Sequence, residues 1–480
     1  MSKRNLNLFA LYYLFVPFAI FLCAWTKPFI GVPIVAVAAL MPMIVCREIK
    51  GKAIRGVSRQ ELIVAAVIVA WVVMAGIGGY VWQNRWDHLF RNAVFIDMVN
   101  LDWPVQHGDS LLTYYIGFWL PAAALAKLSG NIEVGWLCQL LYGILGVWLA
   151  FRLTVEKIGN FRLRYLLPFI LFSGLDIVYY LYSRQSLPDD FLIEQWNKLS
   201  FWGSNTTLIN WVYNQAIPSW VATMLLLNFG KVRGIPALTL CFLSISAPFS
   251  VVGLAPLALY YVVRTAVEGP STAFKLKRLL NAPNIIAAIG VVPVALYFSL
   301  NRSTNITFGI ANLPIDIWLW QLAMLLLLEI LVFVPFIFKQ IRKSPEFYIL
   351  LATCLACLFI QMKGRYGDFN SRVELPLNYF MTLQICIFIK NWSRLKRMVR
   401  VAFLAVSLLA VVTPALETAR VAGMTLIKPR EKFRSHLYDT IFDIDAEYFR
   451  INFIADSVDF DNWKINVFRF VGPDNNTPQP

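Results

Sequence analysis

Apolar stretches of roughly membrane-crossing length recur from the N-terminus to about residue 414, divided by polar connectors that are mostly short and basic. About twenty predominantly apolar residues in a helix span the hydrocarbon core of a bilayer. The pattern predicts thirteen transmembrane helices, near residues 8–24, 29–46, 61–82, 134–152, 164–183, 214–230, 235–249, 251–264, 284–300, 316–339, 346–361, 376–390 and 399–414. The two around Pro248 are short, and one broken helix is the alternative there. Residues 8–24 lack a small-residue cleavage site and run straight into a second span, so they read as a retained helix and not a cleaved signal. A further apolar stretch, 111–128, is expected to lie along the outer surface as an interfacial helix. Counting it as a span would put the basic connector 152–164 on the wrong side. Its Tyr114, Tyr115, Trp119 and Lys127 suit a membrane–water boundary.

Composition agrees with this pattern. Of the 480 residues, 58% are hydrophobic and only 15% charged, which does not suit a soluble domain. With the N-terminus inside, segments 1–7, 47–60, 152–164, 231–234, 264–283, 339–345 and 390–400 hold 25 of the 43 Lys and Arg residues. Lysine and arginine accumulate on the cytoplasmic side of membrane proteins. The net charge of +15 therefore follows from membrane orientation and calls for no nucleic-acid partner. The expected fold is an all-α polytopic membrane domain over 1–414, with an outer C-terminal tail, 415–480, that ends in a disordered Pro/Asn-rich stretch.

The outer segments collect the unusual side chains. The first outer loop, 83–133, contains Asp87, His88, Arg91, Asp97, Asp102, His107 and Asp109. The second, 184–213, contains Asp189, Asp190 and Glu194 among several tryptophans, and the segment 362–375 contains Arg365, Tyr366, Asp368 and Arg372. Carboxylates, imidazoles and aromatics gathered at the end of a membrane helix point to a site at the membrane surface. The seven cysteines all fall in apolar spans and form no disulfide framework, and Cys354-x-x-Cys357 lacks the partners of a zinc site. Sequons at Asn205, Asn301 and Asn305 lie in outer segments and carry meaning only in a eukaryotic secretory pathway. No internal repeat or nucleotide-binding glycine motif is present.

The order of features in 61–190 resembles the GT-C class of membrane glycosyltransferases, which use polyprenyl-phosphate-linked sugars. Trp86-Asp87-His88 stands where that class carries its first acidic motif, just after a span. Asn100-Leu101-Asp102-Trp103-Pro104 resembles the "GDW" element that follows. Leu112-Thr113-Tyr114-Tyr115, running into Leu125-Ala126-Lys127-Leu128-Ser129-Gly130, resembles the "PLYY…KLFG" surface helix. The chain departs from better-known members by an extra N-terminal hairpin and by lacking a large folded C-terminal domain. It also lacks an Asp-x-Asp in loop one, which leaves metal use open. In its bacterial form the resemblance implies an inner-membrane enzyme with a cytoplasmic N-terminus, a periplasmic C-terminus and a site at the outer face.

Sugar transfer from a lipid phosphate to a hydroxyl needs a base at the nucleophile and a partner for the leaving phosphate. Asp87 is the candidate base or acceptor-orienting group; a helix cap or an ion pair with Arg85 or Arg91 is the structural alternative. His88, Arg91 and Asp102 are candidate substrate contacts, with hydrogen-bonding filler and turn former as the plainer readings of His88 and Asp102. Asp189 and Asp190 match the second acidic position of the class by location, and a solvated turn or N-cap serves equally. Glu194 would share a helical face with Asp190 if 189–199 were helical. Arg372, with Arg365 and Tyr366 before it, is the candidate phosphate site, and pairing with Asp368 or with lipid headgroups is its alternative. Asp176, inside a span, is a candidate for the donor pocket, whereas Glu329 is expected to be buried and hydrogen-bonded to another helix. A divalent metal, if used, would fall to Asp87, Asp189 and Asp190. The sequence thus favours a glycosyltransferase acting on a polyprenyl-phosphate-linked sugar and an unspecified acceptor. A transporter or flippase of a lipid-linked sugar and a polysaccharide polymerase or ligase are the alternatives.

Overall fold

Helix starts and stops follow local chemistry. Ser2 Oγ accepts from Asn5 N at the head of Lys3–Trp25, and Pro28 opens the next helix, Pro28–Cys46, where its missing N–H costs nothing. Ser58 and Glu61 form a reciprocal capping box for Arg59–Met74. Leu120–Ser129 ends at Gly130 with φ 64°, and Ile132–Ile158 ends at Gly159 with φ 90°, both in the left-handed region that glycine adopts cheaply. The computed structural model describes residues 2–49, 58–83, 87–184, 193–268, 271–301, 306–308, 313–362, 368–434, 436 and 438–472, and these are predominantly helical.

Among the described residues, seven helical stretches are long and apolar enough to cross a membrane: Lys3–Trp25, Pro28–Cys46, Ile132–Ile158, Leu163–Arg184, Pro248–Val267, Ala282–Ser299 and Arg397–Ile427. An eighth is a bent pair, Ile315–Leu331 and Val334–Ile341, which meet at 72°. The bend has two local causes: a π-helical turn over Leu326–Leu331 and Pro335 in the first turn beyond it. Other stretches expected as spans form Arg59–Met74, Ile235–Leu243, Pro345–Cys357 and Leu375–Lys390, which are shorter. Asn205–Phe229 is long but polar within, and it kinks at Val212. The last apolar helix runs on to Ile427, beyond the expected limit at 414.

Tight packing comes from small residues facing large ones. A Cβ on Gly146 would lie 2.3 Å from Tyr13 Oη and 2.4 Å from Ile217 Cγ2, so Ile132–Ile158 approaches both Lys3–Trp25 and Asn205–Phe229 across this glycine. The two ends of the bundle differ in charge. Lys3 pairs with Glu156, Arg152 with Glu61, and Arg233 with Glu48, and Arg164 Nη2 donates to the Lys390 carbonyl at 3.0 Å. These contacts bring the basic segments together at one end.

The opposite end is capped by loop one and the C-terminal tail folded together. Strands Gln106–His107, Ser110–Leu112 and Ile454–Ala455 form an antiparallel sheet, with Leu111 opposite Ala455 and Leu112 opposite Ile454. Phe90 stacks on Phe449 and on Phe453, each at 5.5 Å. Asp97 Oδ2 accepts from Thr440 Oγ1 and Ile441 N, both at 2.8 Å. The tail residues 438–472 therefore form a cover held by apolar contacts that their mixed charge conceals in the sequence; the Pro/Asn-rich end lies outside the described residues.

A further expectation is corrected. Residues 111–128 do not form one interfacial helix: the segment divides into the strand Ser110–Leu112, a 3-10 turn at Ile116–Phe118 and the helix Leu120–Ser129. Its Tyr114, Tyr115 and Trp119 are buried in the protein, and Lys127 Nζ donates to the carbonyls of Val99 and Leu101 at 3.0 and 2.6 Å. Asn205 and Asn301 are buried, so neither is a glycan acceptor in this fold, and Asn305 lies outside the described residues. All seven cysteines are free thiols.

Candidate functional site

The helix Asp87–Asn100 begins at the capped end of the bundle and carries Asp87, His88 and Arg91 in its first turns. Asp87 and Arg91 are four residues apart, the spacing that brings two side chains together on one helical face. Arg91 Nη2 lies 3.1 Å from Asp87 Oδ2. The side chain of Arg91 is only 5% exposed while that of Asp87 is 37% exposed, so the pair joins a buried cation to a carboxylate that reaches the surface. Arg91 Nη1 also donates to the Trp211 carbonyl, and the guanidinium lies 5.6 Å from the Tyr213 ring centre. Tyr213 therefore lies beside the guanidinium that holds the carboxylate.

His88 turns inward from the same turn. Its Nε2 donates to the Asn210 carbonyl at 2.7 Å, and the ring stacks on Tyr213 at 5.4 Å. Burial, reinforced by the Arg91 charge, pushes the imidazole down to about 3. A neutral, buried ring of this kind orients its neighbours and does not exchange protons near neutrality. Asp102 is exposed, in the turn before the cis Trp103–Pro104 bond.

A second group of acids lies behind this surface. Glu417, in Val412–Ile427, accepts from Trp211 Nε1 at 2.5 Å and from Asn210 Nδ2 at 3.4 Å. Arg420 clasps it with Nη2 at 2.5 Å and Nε at 3.1 Å, and the guanidinium rests between the Trp82 and Trp211 rings. Glu194 Oε1 accepts from Ser204 N at 2.8 Å. Burial, with the neighbouring Asp176 charge, holds its carboxyl well above the usual carboxylate range. The segment around Glu194 is a turn, not the helix that would align it with Asp190, because Asn197 and Glu194 bond the backbone at 199 and 204 locally.

Asp176 is fully buried at the head of Asp176–Arg184. It accepts from Trp196 Nε1 at 2.9 Å and from Ser173 Oγ and Thr413 Oγ1, each at 3.2 Å. It also hydrogen-bonds to Glu329, which requires a proton on one of the two acids. Glu329 sits in the π-helical turn of the bent span, as buried and as bonded to another helix as the sequence suggests. Leu175 N donates to the Leu328 carbonyl at 3.1 Å and ties the two backbones beside the acid pair.

Arg372 lies in Asp368–Val373, 6% exposed, and Ser250 Oγ donates to its carbonyl at 3.0 Å. Glu374 lies two residues on, with a carboxyl that burial pushes up to about 8 against the opposing Arg372 charge. Phe201 N donates to Ser371 Oγ at 3.2 Å and Asn378 Nδ2 to the Gly203 carbonyl at 2.7 Å, so loop two is bonded to this segment. The helix Val412–Ile427 links the first two groups: Glu417 holds Asn210 and Trp211 behind the Asp87–Arg91 pair, and Thr413 on the same helix donates to Asp176.

Asp189, Asp190, Arg365 and Tyr366 lie outside the described residues. Among the described residues, no group of three His, Cys, Asp or Glu side chains is arranged to hold a metal ion. Sequence reading missed Glu417, Arg420 and Glu374. The signal for the first two was a Glu-x-x-Arg pair inside an apolar stretch, a spacing that pairs opposite charges on a helix. Comparison of the chain with protein-family models, curated proteins and solved structures finds no match.

Proposed function

We propose that this chain is an integral membrane glycosyltransferase of GT-C type, with thirteen crossings, a cytoplasmic N-terminus and a site at the outer face of a bacterial inner membrane. Its donor is a sugar carried on a polyprenyl phosphate, and its acceptor is a hydroxyl of a glycan, lipid or protein. The observation that carries the reading is the Asp87–Arg91 pair: a surface-reaching carboxylate steadied by a buried guanidinium at 3.1 Å that itself lies over the Tyr213 ring. A carboxylate so held is oriented to accept a proton.

In the proposed step the acceptor hydroxyl gives its proton to Asp87 as its oxygen bonds to the sugar's anomeric carbon. The bond from that carbon to the phosphate oxygen breaks, and the electron pair leaves with the polyprenyl phosphate. Arg372 is the proposed partner of that phosphate, through the planar two-pronged geometry of guanidinium. Neutral His88 is a positioning residue that holds Asn210 and Tyr213 behind the pair.

A second reading rests on a different observation. The Asp176–Glu329 pair sits where two apolar helices meet and one is bent by 72°, as in a transporter or flippase for a lipid-linked sugar. The purified protein in detergent, given radiolabelled polyprenyl-phosphate sugars and mixed acceptors, separates the two. Labelled product without flux in proteoliposomes supports the enzyme, and flux of intact lipid-linked sugar without product supports the transporter. A polymerase or ligase would share the first outcome and differ in product length.

A further inference from the structure

Away from the Asp87 surface, three elements fail to close against one another: Leu166–Leu171, the second half of Leu375–Lys390, and Arg397–Ala410. Between them lies a cavity of about 350 Å³ walled by Leu167, Phe172, Phe333, Ile385, Trp392 and Phe403. Its lip is formed by Leu167 and Leu404, 63% and 50% exposed on the apolar flank of the bundle. The volume is at the small end of the range of about 300–1,000 Å³ for ligand sites.

Water is a poor occupant. Buried water needs two to four polar partners, and beyond the mouth this cavity offers the hydroxyls of Ser173 and Ser407, the first already donating to Asp176. A hydrocarbon chain entering from the bilayer meets walls that are apolar apart from these two hydroxyls. The mouth, however, is cationic. Arg164 lines it, exposed, with one donor on the Lys390 carbonyl, and exposed Arg394, Lys396 and Arg397 follow Trp392 at the same end. Half-buried Trp392 is of the residue type that settles at headgroup level.

We propose that this cavity is a binding site for an anionic phospholipid of the leaflet at the basic end. One acyl chain fills it and the phosphate lies against Arg164. The site is independent of the sugar-transfer reading, since neither Asp87 nor Arg372 contributes to it.

The test uses the full-length protein, stripped in detergent and titrated with phosphatidylglycerol or phosphatidylcholine, with bound lipid counted by native mass spectrometry. Wild type should retain one phosphatidylglycerol in preference to phosphatidylcholine. The preference should be about fivefold for each basic side chain engaged, the usual worth of a surface cation near anionic lipid. Arg164→Gln should keep a lipid but lose most of the preference, and Leu404→Trp, at an exposed lip position, should lose the retained lipid. Equal retention of the two lipids by wild type, or an unchanged phosphatidylglycerol count in Leu404→Trp, would overturn the proposal. So would stronger retention of a polyprenyl phosphate than of phosphatidylglycerol. Photolabelling with a diazirine-bearing phosphatidylglycerol gives a readout independent of variant folding. Labels on 166–172 and 403–411 are expected, and labels confined elsewhere contradict the site.

Discussion

Gly174 and Glu329 share one volume: a Cβ at 174 would lie 1.4 Å from Glu329 Oε2. The glycine thus makes room for the acid that bonds to Asp176. Gly174→Ala should displace the Glu329 carboxyl and destabilise the fold by about 1–3 kcal/mol, the usual cost of overpacking a buried site. Removing the obstructing acid should relieve the strain, so Gly174→Ala with Glu329→Ala should melt higher than Gly174→Ala alone. Thermal unfolding in detergent checks this, and a double variant no more stable than the single one would count against the shared volume.

Glu374 makes stability depend on pH. Its carboxyl is raised from 4.5 to about 8, mainly by burial, so the folded state holds the proton more tightly than the unfolded chain does. The stabilisation is complete below the unfolded value and is lost as pH rises towards about 8. Melting temperature should fall across this interval in wild type and less steeply in Glu374→Gln, where buried Glu194 still contributes. Parallel slopes for the two proteins would remove Glu374 as the cause.

Much of this was legible in the sequence. The apolar stretches announced the helices, and the basic connectors that sequence assigns to one side do meet at one end through pairs such as Arg152 with Glu61. Asp87 stood out because Trp86-Asp87-His88 follows directly on an apolar span, and an ion pair with Arg91 was one of its readings. Tertiary structure overrode the local pattern elsewhere. Tyr114 and Trp119 read as an interfacial belt, but the tail brings Phe453 to within 4.5 Å of the Tyr114 ring, and the belt becomes interior. The local Glu-x-x-Arg spacing marks Glu417 and Arg420, but the bonds of Glu417 to Asn210 and Trp211 span about two hundred residues, and no local periodicity encodes that contact.

The tail's attachment can be tested apart from chemistry. Phe453 packs on Phe90 and Tyr114, and its carbonyl accepts from Thr113 N at 2.8 Å. Phe453→Ala should cost about 3–5 kcal/mol locally, as large aromatic truncations in cores do. Limited proteolysis should then release fragments from 430–472 while the helices stay intact. Unchanged protection of the tail would contradict the packing described.

Arg372→Lys keeps the charge and loses the planar fork. If Arg372 holds the leaving phosphate, the loss of one charge-assisted hydrogen bond, worth about 1.5–3 kcal/mol, should weaken transfer by roughly 10–100-fold. The thermal midpoint should change little. Unchanged donor affinity and turnover would remove Arg372 from the site.

Asp87→Asn preserves size and most hydrogen bonding but removes the proton acceptor beside Arg91. Asp97→Asn is its control, because Asp97 bonds the tail at Thr440 and Ile441 and has no proposed part in transfer. The measurement is sugar transfer from a polyprenyl-phosphate donor in detergent, with the melting temperature of each variant followed in parallel. Turnover of Asp87→Asn should fall by roughly 10²–10⁴-fold, the usual contribution of a general base, at a nearly unchanged melting temperature, while Asp97→Asn should lose stability and keep most of its turnover. Near-normal transfer by Asp87→Asn would make Asp87 a structural partner of Arg91 and contradict its role as the base.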